Sequence, residues 1–201
     1  LLMMQPDIGQ TVLVLLSWLT LVFISGISLY VFFSFFGLSF ILLLYLILFI
    51  PKFEYIRNRI DSFFNPATGT HSGQSEKAIE AITSGGFFGK GIGEGTLKNR
   101  VPDAHTDFII SAISEEFGVV VIILLLIIFL FFIYNVFKRL SLEKDEKIQL
   151  VMTGSITLIL AQTLIHLGVN IRLFPTTGMT LPFLSYGGSS IIGVSILSGI
   201  I

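Results

Sequence analysis

The chain alternates long apolar stretches with two hydrophilic segments. The first stretch runs from Ile8 to Pro51 without an Asp, Glu, Lys, Arg or His, which leaves room for two membrane helices of about 20 residues each. Gly26 and Ser28 interrupt it near the middle, as expected for a turn between the two helices. Three more apolar stretches follow, and the last is broken near its start by Pro and Gly. The pattern predicts five membrane helices, at residues 10–25, 29–50, 107–137, 148–171 and 187–201.

The two hydrophilic segments are residues 51–106, with seven Lys and Arg, and residues 138–147, with four. Because the third helix connects them, they are expected on opposite sides of the membrane. The positive-inside rule discounts long loops and therefore favours the short segment as cytoplasmic. The long segment is then extracytoplasmic, and its basic residues need another role, such as binding an anionic ligand. Helical spacing predicts that the second helix continues to Asn65 and that a short amphipathic helix covers Ser75 to Ser84.

The composition agrees with a polytopic all-α membrane protein. Hydrophobic residues make up 53% of the chain and charged residues 12%, which is about half of the charged fraction of a soluble domain. The net charge of −1 gives no basic field for nucleic acid. The chain has no Cys, which excludes disulfides, thiolate metal sites and a Cys nucleophile. Since it opens without the features of a signal peptide and ends inside an apolar stretch, we expect it to be part of a longer protein.

The start of the third helix carries the first candidate for chemistry, the sequence His105-Thr106-Asp107. Polar or small residues recur from Asp107 at helical spacing, at positions 111, 114, 115 and 118, and so form one stripe on an apolar helix. Such a stripe is expected to face protein or a water-filled cavity. Asp107 is then either a functional acid at the membrane edge or a cap of the helix N-terminus. For Glu115 and Glu116 we expect structural pairing with an Arg or Lys on a helix outside this chain.

Two irregular segments also carry candidate chemistry. Residues 84–95 include six Gly, and their N–H groups form either an anion nest or a plain flexible loop. No predicted strand precedes them, so they are not a dinucleotide-binding fingerprint. Residues 175–190 are either a re-entrant, site-forming loop or a connector whose hydroxyl groups cap the last helix. Interhelical hydrogen bonds explain the polar face of the fourth helix, which consists of Gln162, His166 and Asn170.

Five motifs of the chain resemble those of the FtsW/RodA (SEDS) family and occur in the family's order. They are Gln5-Pro-Asp-Ile-Gly9, residues 84–95, Pro102-Asp-Ala-His-Thr-Asp-Phe108, Glu115-Glu-Phe-Gly118 and residues 175–190. The resemblance covers nearly the whole chain, and residues 95–107 and 178–182 look more like the cell-division branch, FtsW, than the elongation branch, RodA. It implies a bundle of ten membrane helices, of which this chain is the C-terminal half. Residues 51–106 correspond to the large extracytoplasmic loop of the family.

The resemblance implies a peptidoglycan glycosyltransferase of the bacterial cytoplasmic membrane, acting at the division septum on lipid II. Asp107 matches the catalytic aspartate of the family, which would take a proton from the acceptor sugar hydroxyl. Lys98, Arg100 and Lys90 are candidates for neutralising the pyrophosphate of the donor, and a divalent cation such as Mg²⁺ or Mn²⁺ is a candidate cofactor. Gln74, His105 and Ser189 are further candidates for substrate binding. The implied partners are a class B penicillin-binding protein and other division proteins.

Two other functions fit the same pattern. Broken helices and intramembrane acids also occur in transporters, so a lipid II flippase is one alternative. A non-catalytic scaffold of the division machinery is another. For Asp107, the helix N-terminus and nearby cations are expected to depress the pKa, which would make it a weak base, while partial desolvation opposes this shift.

Overall fold

The structure is a computed structural model and describes residues 7–64, 72–96 and 101–201. Within these residues the fold is all-α. A single 3-10 turn at Pro51–Phe53 separates the second helix from the third. The helices are α1 (Ile8–Ile24), α2 (Leu29–Phe49), α3 (Glu54–Phe64), α4 (Ser72–Gly85), α5 (Ile109–Leu142), α6 (Glu146–Asn170) and α7 (Gly188–Ile200).

Each of the five apolar stretches predicted from the sequence forms a helix. The turn between α1 and α2 contains Gly26 with a φ of 80°, a left-handed conformation that glycine adopts without steric cost. The amphipathic helix predicted from Ser75 is α4, which begins at Ser72 and ends at Gly85. The prediction that the second helix continues to Asn65 is wrong, because α2 ends at Phe49 and the 3-10 turn at Pro51–Phe53 separates it from α3; Asn65 itself lies outside the described residues.

The predicted loop 138–147 is wrong in its bounds, because most of it is helical. Helix α5 continues to Leu142 and α6 begins at Glu146, so only three residues lie outside the helices. Arg139 lies in the last turn of α5, where a cation is favoured by the helix dipole. The Asp145 carboxylate accepts a hydrogen bond from the Lys147 N–H at 2.9 Å and so caps α6.

The protein is a multi-pass membrane protein. Helices α2, α5 and α6 are long and apolar enough to cross a membrane, with mean hydropathies of 2.6, 3.3 and 1.7 over their most apolar windows. Helices α1 and α7 are apolar but shorter, with 17 and 13 residues. The count of five spans therefore stays a prediction.

Helix α6 is the centre of the packing, and it is contacted by α1, α4, α5 and α7. Half of its most apolar window is buried, whereas no residue in that of α2 is buried, which suits contact with lipid. Small side chains on α4, Ala78 and Ala81, are fully buried and let α4 approach α5 closely. As a result, the first turn of α5 and the last turn of α6 meet beside α4, and the candidate site lies there.

Candidate functional site

The turn before α5 presents Asp107. Asp103 has a φ of 54°, and its carbonyl oxygen accepts hydrogen bonds from the N–H groups of Thr106, Asp107 and Phe108 at 3.0–3.3 Å. Ala104 and Phe108 are buried and fix the turn against the core, while Asp107 is half-buried. The N-cap of α5 is Phe108, without a side-chain hydrogen bond, so Asp107 does not cap the helix.

Three consecutive carbonyl groups of this turn are bound by other parts of the fold. The N–H of Tyr186 donates to the carbonyl oxygen of His105 at 3.0 Å. The Ser185 hydroxyl donates to the carbonyl oxygen of Thr106 at 2.6 Å. The Asn170 side-chain amide donates to the carbonyl oxygen of Asp107 at 3.1 Å. The backbone that carries Asp107 is therefore held by α6 and by residues 175–190.

Residues 175–190 form part of the site. The Ser185 hydroxyl that reaches Thr106 also accepts from the N–H of Leu181 at 2.8 Å. Gln162 on α6 donates its side-chain amide to the carbonyl oxygen of Thr180 at 2.8 Å, and the Thr180 hydroxyl lies 2.7 Å from that of Ser190. The N-cap of α7 has no side-chain hydrogen bond. These bonds favour the interpretation as a site-forming segment, and capping of α7 by hydroxyl groups stays a prediction.

A cavity of about 500 Å³ opens between α1, α6 and α7 beside this segment. Ser189, predicted as a substrate-binding residue, lies in its wall together with Gln10, Gln162 and Thr180. Gly178 also lines the cavity, and a Cβ at that glycine would lie 3.7 Å from Oδ2 of Asp107. The carboxylate is thus next to a residue that forms the cavity wall.

The pKa of Asp107 is raised above its ordinary value. Burial of the carboxyl is the largest cause, and the negative charge of Asp103 adds to it; the Thr106 side-chain hydrogen bond and the Arg59 charge act in the opposite direction. The expectation of a depressed pKa is therefore wrong, because burial beneath α6 and residues 175–190 outweighs the positive charge nearby. A carboxylate with a raised pKa is a better proton acceptor.

The Gly-rich residues 84–95 bind to α5 where that helix is interrupted. Gly118 has a φ of 81° and a ψ of 176°, so α5 loses helical hydrogen bonds around it. The loop replaces them: Lys90 and Gly91 donate N–H groups to the carbonyl oxygens of Glu115 and Glu116 at 2.9 and 3.0 Å. The N–H groups of residues 119 and 120 donate in turn to the carbonyl oxygens of residues 86 and 87.

The stripe of polar residues on α5 faces protein, as predicted. Ser111, Ser114 and Glu115 are fully buried. The Glu115 carboxylate accepts from the Lys90 ammonium at 3.1 Å and from the Thr96 N–H at 3.0 Å. Its cationic partner therefore lies in the Gly-rich loop of this chain, so the expectation of a partner on a helix outside it is wrong for Glu115.

These bonds revise both interpretations of the Gly-rich loop. Three of its N–H groups donate to α5, two to main-chain oxygens and one to the Glu116 carboxylate, and the N–H of Thr96 directly after the loop donates to the Glu115 carboxylate. It is neither a plain flexible loop nor an open anion nest, because it closes a break in a helix. Lys90 is an ion-pair partner of Glu115 in this arrangement, and its role in substrate binding stays a prediction.

The other predicted substrate-binding residues are spread around the turn. Lys98 and Arg100 lie outside the described residues. His105 is exposed beside Asp107, and Gln74 is half-buried on α4. Their positions do not test substrate binding, so these roles stay predictions.

Two arginines near the site were missed by the sequence reasoning. Arg59 on α3 donates to the carbonyl oxygen of Thr176 at 3.0 Å. Arg172 follows α6 and lies 3.4 Å from the carboxylate of Glu76. Arg172 carries the only Asp, Glu, Lys or Arg charge after Lys147, and this isolation could have identified it.

The described residues do not include a cluster of three side-chain ligands for a divalent cation. No group of three or more His, Asp or Glu side chains in this part of the chain could hold a metal ion. Asp103 and Asp107 supply two carboxylates only. The divalent cation therefore stays a prediction.

Comparisons with known proteins agree with the motifs. The family model described as "Cell cycle protein" (FTSW_RODA_SPOVE) matches residues 1–201. A probable peptidoglycan glycosyltransferase FtsW of Caulobacter vibrioides is 38% identical over 99% of this chain and 50% of its own length. The protein of the same name from Mycobacterium tuberculosis is 38% identical over 98% of this chain and 38% of its own length.

A solved structure gives the same result for the fold. That structure is described as showing the structural coordination of polymerization and crosslinking by a peptidoglycan synthase complex. One chain of it matches with a TM-score of 0.74 and 26% identity, over 99% of this chain and 55% of that one. This chain thus spans about half of the length of the relatives it matches.

Proposed function

Since the chain belongs to the FtsW/RodA/SpoVE family, we propose that it is part of a peptidoglycan glycosyltransferase that polymerises lipid II into glycan strands during cell division. The relatives named FtsW support this activity. The observation that carries the proposal is Asp107, a half-buried carboxylate with a raised pKa, held at the edge of a membrane helix and beside a 500 Å³ cavity.

The proposed reaction is a displacement at the anomeric carbon of the donor sugar. The oxygen of an acceptor hydroxyl forms the new glycosidic bond, while the bond from the anomeric carbon to the pyrophosphate oxygen breaks. Asp107 accepts the hydroxyl proton as general base, and undecaprenyl pyrophosphate leaves with the bonding electron pair. Cations near the site stabilise its developing charge, and Lys98 and Arg100 are our candidates for this role.

The fold is consistent with holding such a base in place. The three carbonyl groups of residues 105–107 are all bound by side chains or N–H groups of other segments. A base whose backbone is fixed needs no reorganisation when the acceptor arrives, and such positioning is a major source of rate enhancement.

The proposed setting is the bacterial cytoplasmic membrane at the division septum, with α1 and α7 as two further spans. Residues 51–106 and the turn with Asp107 then face the extracytoplasmic side, and residues 143–145 face the cytoplasm. A class B penicillin-binding protein is the proposed partner, together with other division proteins. The matching structure of a peptidoglycan synthase complex supports a partner of this kind.

The test is the product formed from lipid II by a full-length protein that includes this chain. The proposal predicts glycan strands, separated by length on a gel. Movement of lipid II between leaflets without any polymer would indicate a flippase instead. If neither product nor movement is seen while partner binding persists, the protein is a scaffold.

A further inference from the structure

Arg172 adopts a backbone conformation that is unfavourable for its residue type. Its φ is 57°, and it follows the end of α6, where the N–H of Leu173 donates to the carbonyl oxygen of Gly168 at 2.7 Å. Gly is the usual residue at such a left-handed position, and an L-residue there costs roughly 1 kcal/mol. The conformation of the turn does not favour an arginine, so the contacts of the Arg172 side chain must explain its presence.

The Arg172 side chain shares a small open pocket with Arg59. The pocket has a volume of about 10 Å³ and is also lined by the serines at positions 62 and 75 and by Thr176. Arg59 is fixed there by its hydrogen bond to the carbonyl oxygen of Thr176. Two guanidinium groups and three hydroxyl groups line one pocket, and such donors are suited to a phosphate oxygen.

A carboxylate of the chain pairs with one of these two arginines. Glu76 on α4 is 3.4 Å from the Arg172 guanidinium, and the side chains of Glu76 and Arg172 are 52% and 28% exposed. An ion pair with this exposure is weak, so a stronger anion can displace Glu76. When Glu76 turns away, the Arg172 guanidinium gains a free donor for an anion at the open mouth of the pocket.

Residues 176–178 link the pocket to the candidate active site along the chain. Thr176, which binds Arg59, is two residues from Gly178, which adjoins the carboxylate of Asp107. The Arg59 charge also acts on Asp107. An anion held between the two arginines would therefore lie on the extracytoplasmic side of the site, close to the reacting groups.

We propose that Arg59 and Arg172 form an anion-binding subsite for a phosphate group of the lipid-linked substrate, with Glu76 as its exchangeable internal counterion. The assignment to the substrate rests on the proposed function. The headgroup of an anionic phospholipid carries the same chemistry, and the experiment below separates these two sources.

The chain offers a variant that removes the arginine without harming the fold. Arg172→Gly places at the left-handed position the residue that prefers it, so stability is expected to be kept or increased. Arg172→Lys keeps the positive charge but not the fork of donors. Glu76→Gln removes the competing carboxylate. Lys77→Gln, an exposed change on the same helix, is the matched control.

Binding is measured first, with inorganic pyrophosphate titrated calorimetrically into a full-length protein that includes this chain. The Kd is expected to rise roughly tenfold in Arg172→Gly and less in Arg172→Lys. It is expected to fall a few-fold in Glu76→Gln and to stay unchanged in Lys77→Gln. Equal binding by wild type and Arg172→Gly, or no binding by the wild type, would overturn the subsite.

The source of the phosphate is tested by polymerisation of lipid II in vesicles. In neutral phosphatidylcholine, Arg172→Gly is expected to raise KM about tenfold with kcat within about twofold. A rise in KM confined to vesicles with phosphatidylglycerol would overturn the substrate assignment in favour of a lipid headgroup. If the wild type forms no polymer but pyrophosphate binding follows the expected order, the subsite stands and the proposed function fails.

Discussion

The side-chain amide of Asn170, fully buried at the end of α6, donates a hydrogen bond to the main-chain carbonyl oxygen of Asp107 at 3.1 Å. The same amide donates to the carbonyl oxygen of His166 at 2.9 Å. One side chain therefore ties the last turn of α6 to the turn that carries the candidate base. This relationship makes the position of Asp107 depend on a residue that does not touch its carboxylate.

Replacing Asn170 by Ala is expected to slow catalysis more than it weakens substrate binding. The carbonyl of Asp107 loses its donor, and the carboxylate is less well positioned for proton transfer. We expect kcat for lipid II polymerisation to fall roughly tenfold with KM nearly unchanged. Asn135→Ala is the matched control, because Asn135 is exposed and its side-chain amide donates to the carbonyl oxygen of Phe131 within α5. An equal loss in both variants, or a change in KM alone, would argue against a positioning role for Asn170.

Replacing Asp103 by Asn is expected to shift the pH dependence of the reaction. The base must be ionised, and burial together with the charge of Asp103 raises the pKa of Asp107. Activity should therefore decline on acidification at a pH above the usual range for an aspartate. Removing the Asp103 charge lowers the pKa of Asp107, so the acid limb of the kcat/KM profile should move to lower pH. Glu80→Gln, an exposed change on α4, should leave the profile in place; a shift to higher pH in Asp103→Asn would contradict the assignment.

Gly118→Ala is expected to destabilise the protein strongly. A Cβ there would collide with the carbonyl oxygen of Phe87, and the residue has a φ of 81°. The free energy of unfolding should fall by about 2 kcal/mol or more. Gly37→Ala is the control, since Gly37 lies within α2 with open space around it and should be neutral or slightly stabilising. Thermal unfolding in detergent measures both; similar midpoints would show that the break in α5 does not need glycine.

The ion pair of Lys90 with Glu115 predicts a non-additive pair of substitutions. Lys90→Met leaves a buried carboxylate without its ammonium partner and should cost about 1–2 kcal/mol, a figure reduced by the 35% exposure of Lys90. Adding Glu115→Gln removes the buried charge and should recover part of the loss. Additive effects in a double-mutant cycle would show that the two side chains are not coupled.

The positions of the helices were largely predictable, because uncharged stretches of sufficient length mark them. The break in α5 was not. Gly118 lies within a stretch that looks like one continuous helix, and its conformation depends on hydrogen bonds to residues about 30 positions earlier in the chain. Such long-range bonds leave no periodic signal in the sequence.

The candidate site also has features that the sequence predicts and features that only the fold reveals. Asp107 could be found by its motif and by its place at a helix start, but the direction of its pKa shift could not. That direction depends on burial by α6 and residues 175–190, which a local view of helix dipole and cations does not include. Arg59 and Arg172 come from segments more than a hundred positions apart, so only the fold brings them to one pocket.

The central claim is that the Asp107 carboxylate is the base for glycan polymerisation. The most direct measurement is the rate of lipid II polymerisation by a full-length protein that includes this chain, compared with its Asp107→Asn variant. Asn is nearly isosteric but does not accept the proton, so kcat is predicted to fall by roughly 10²-fold or more with folding and pyrophosphate binding intact. Polymerisation by Asp107→Asn at the wild-type rate would contradict the account.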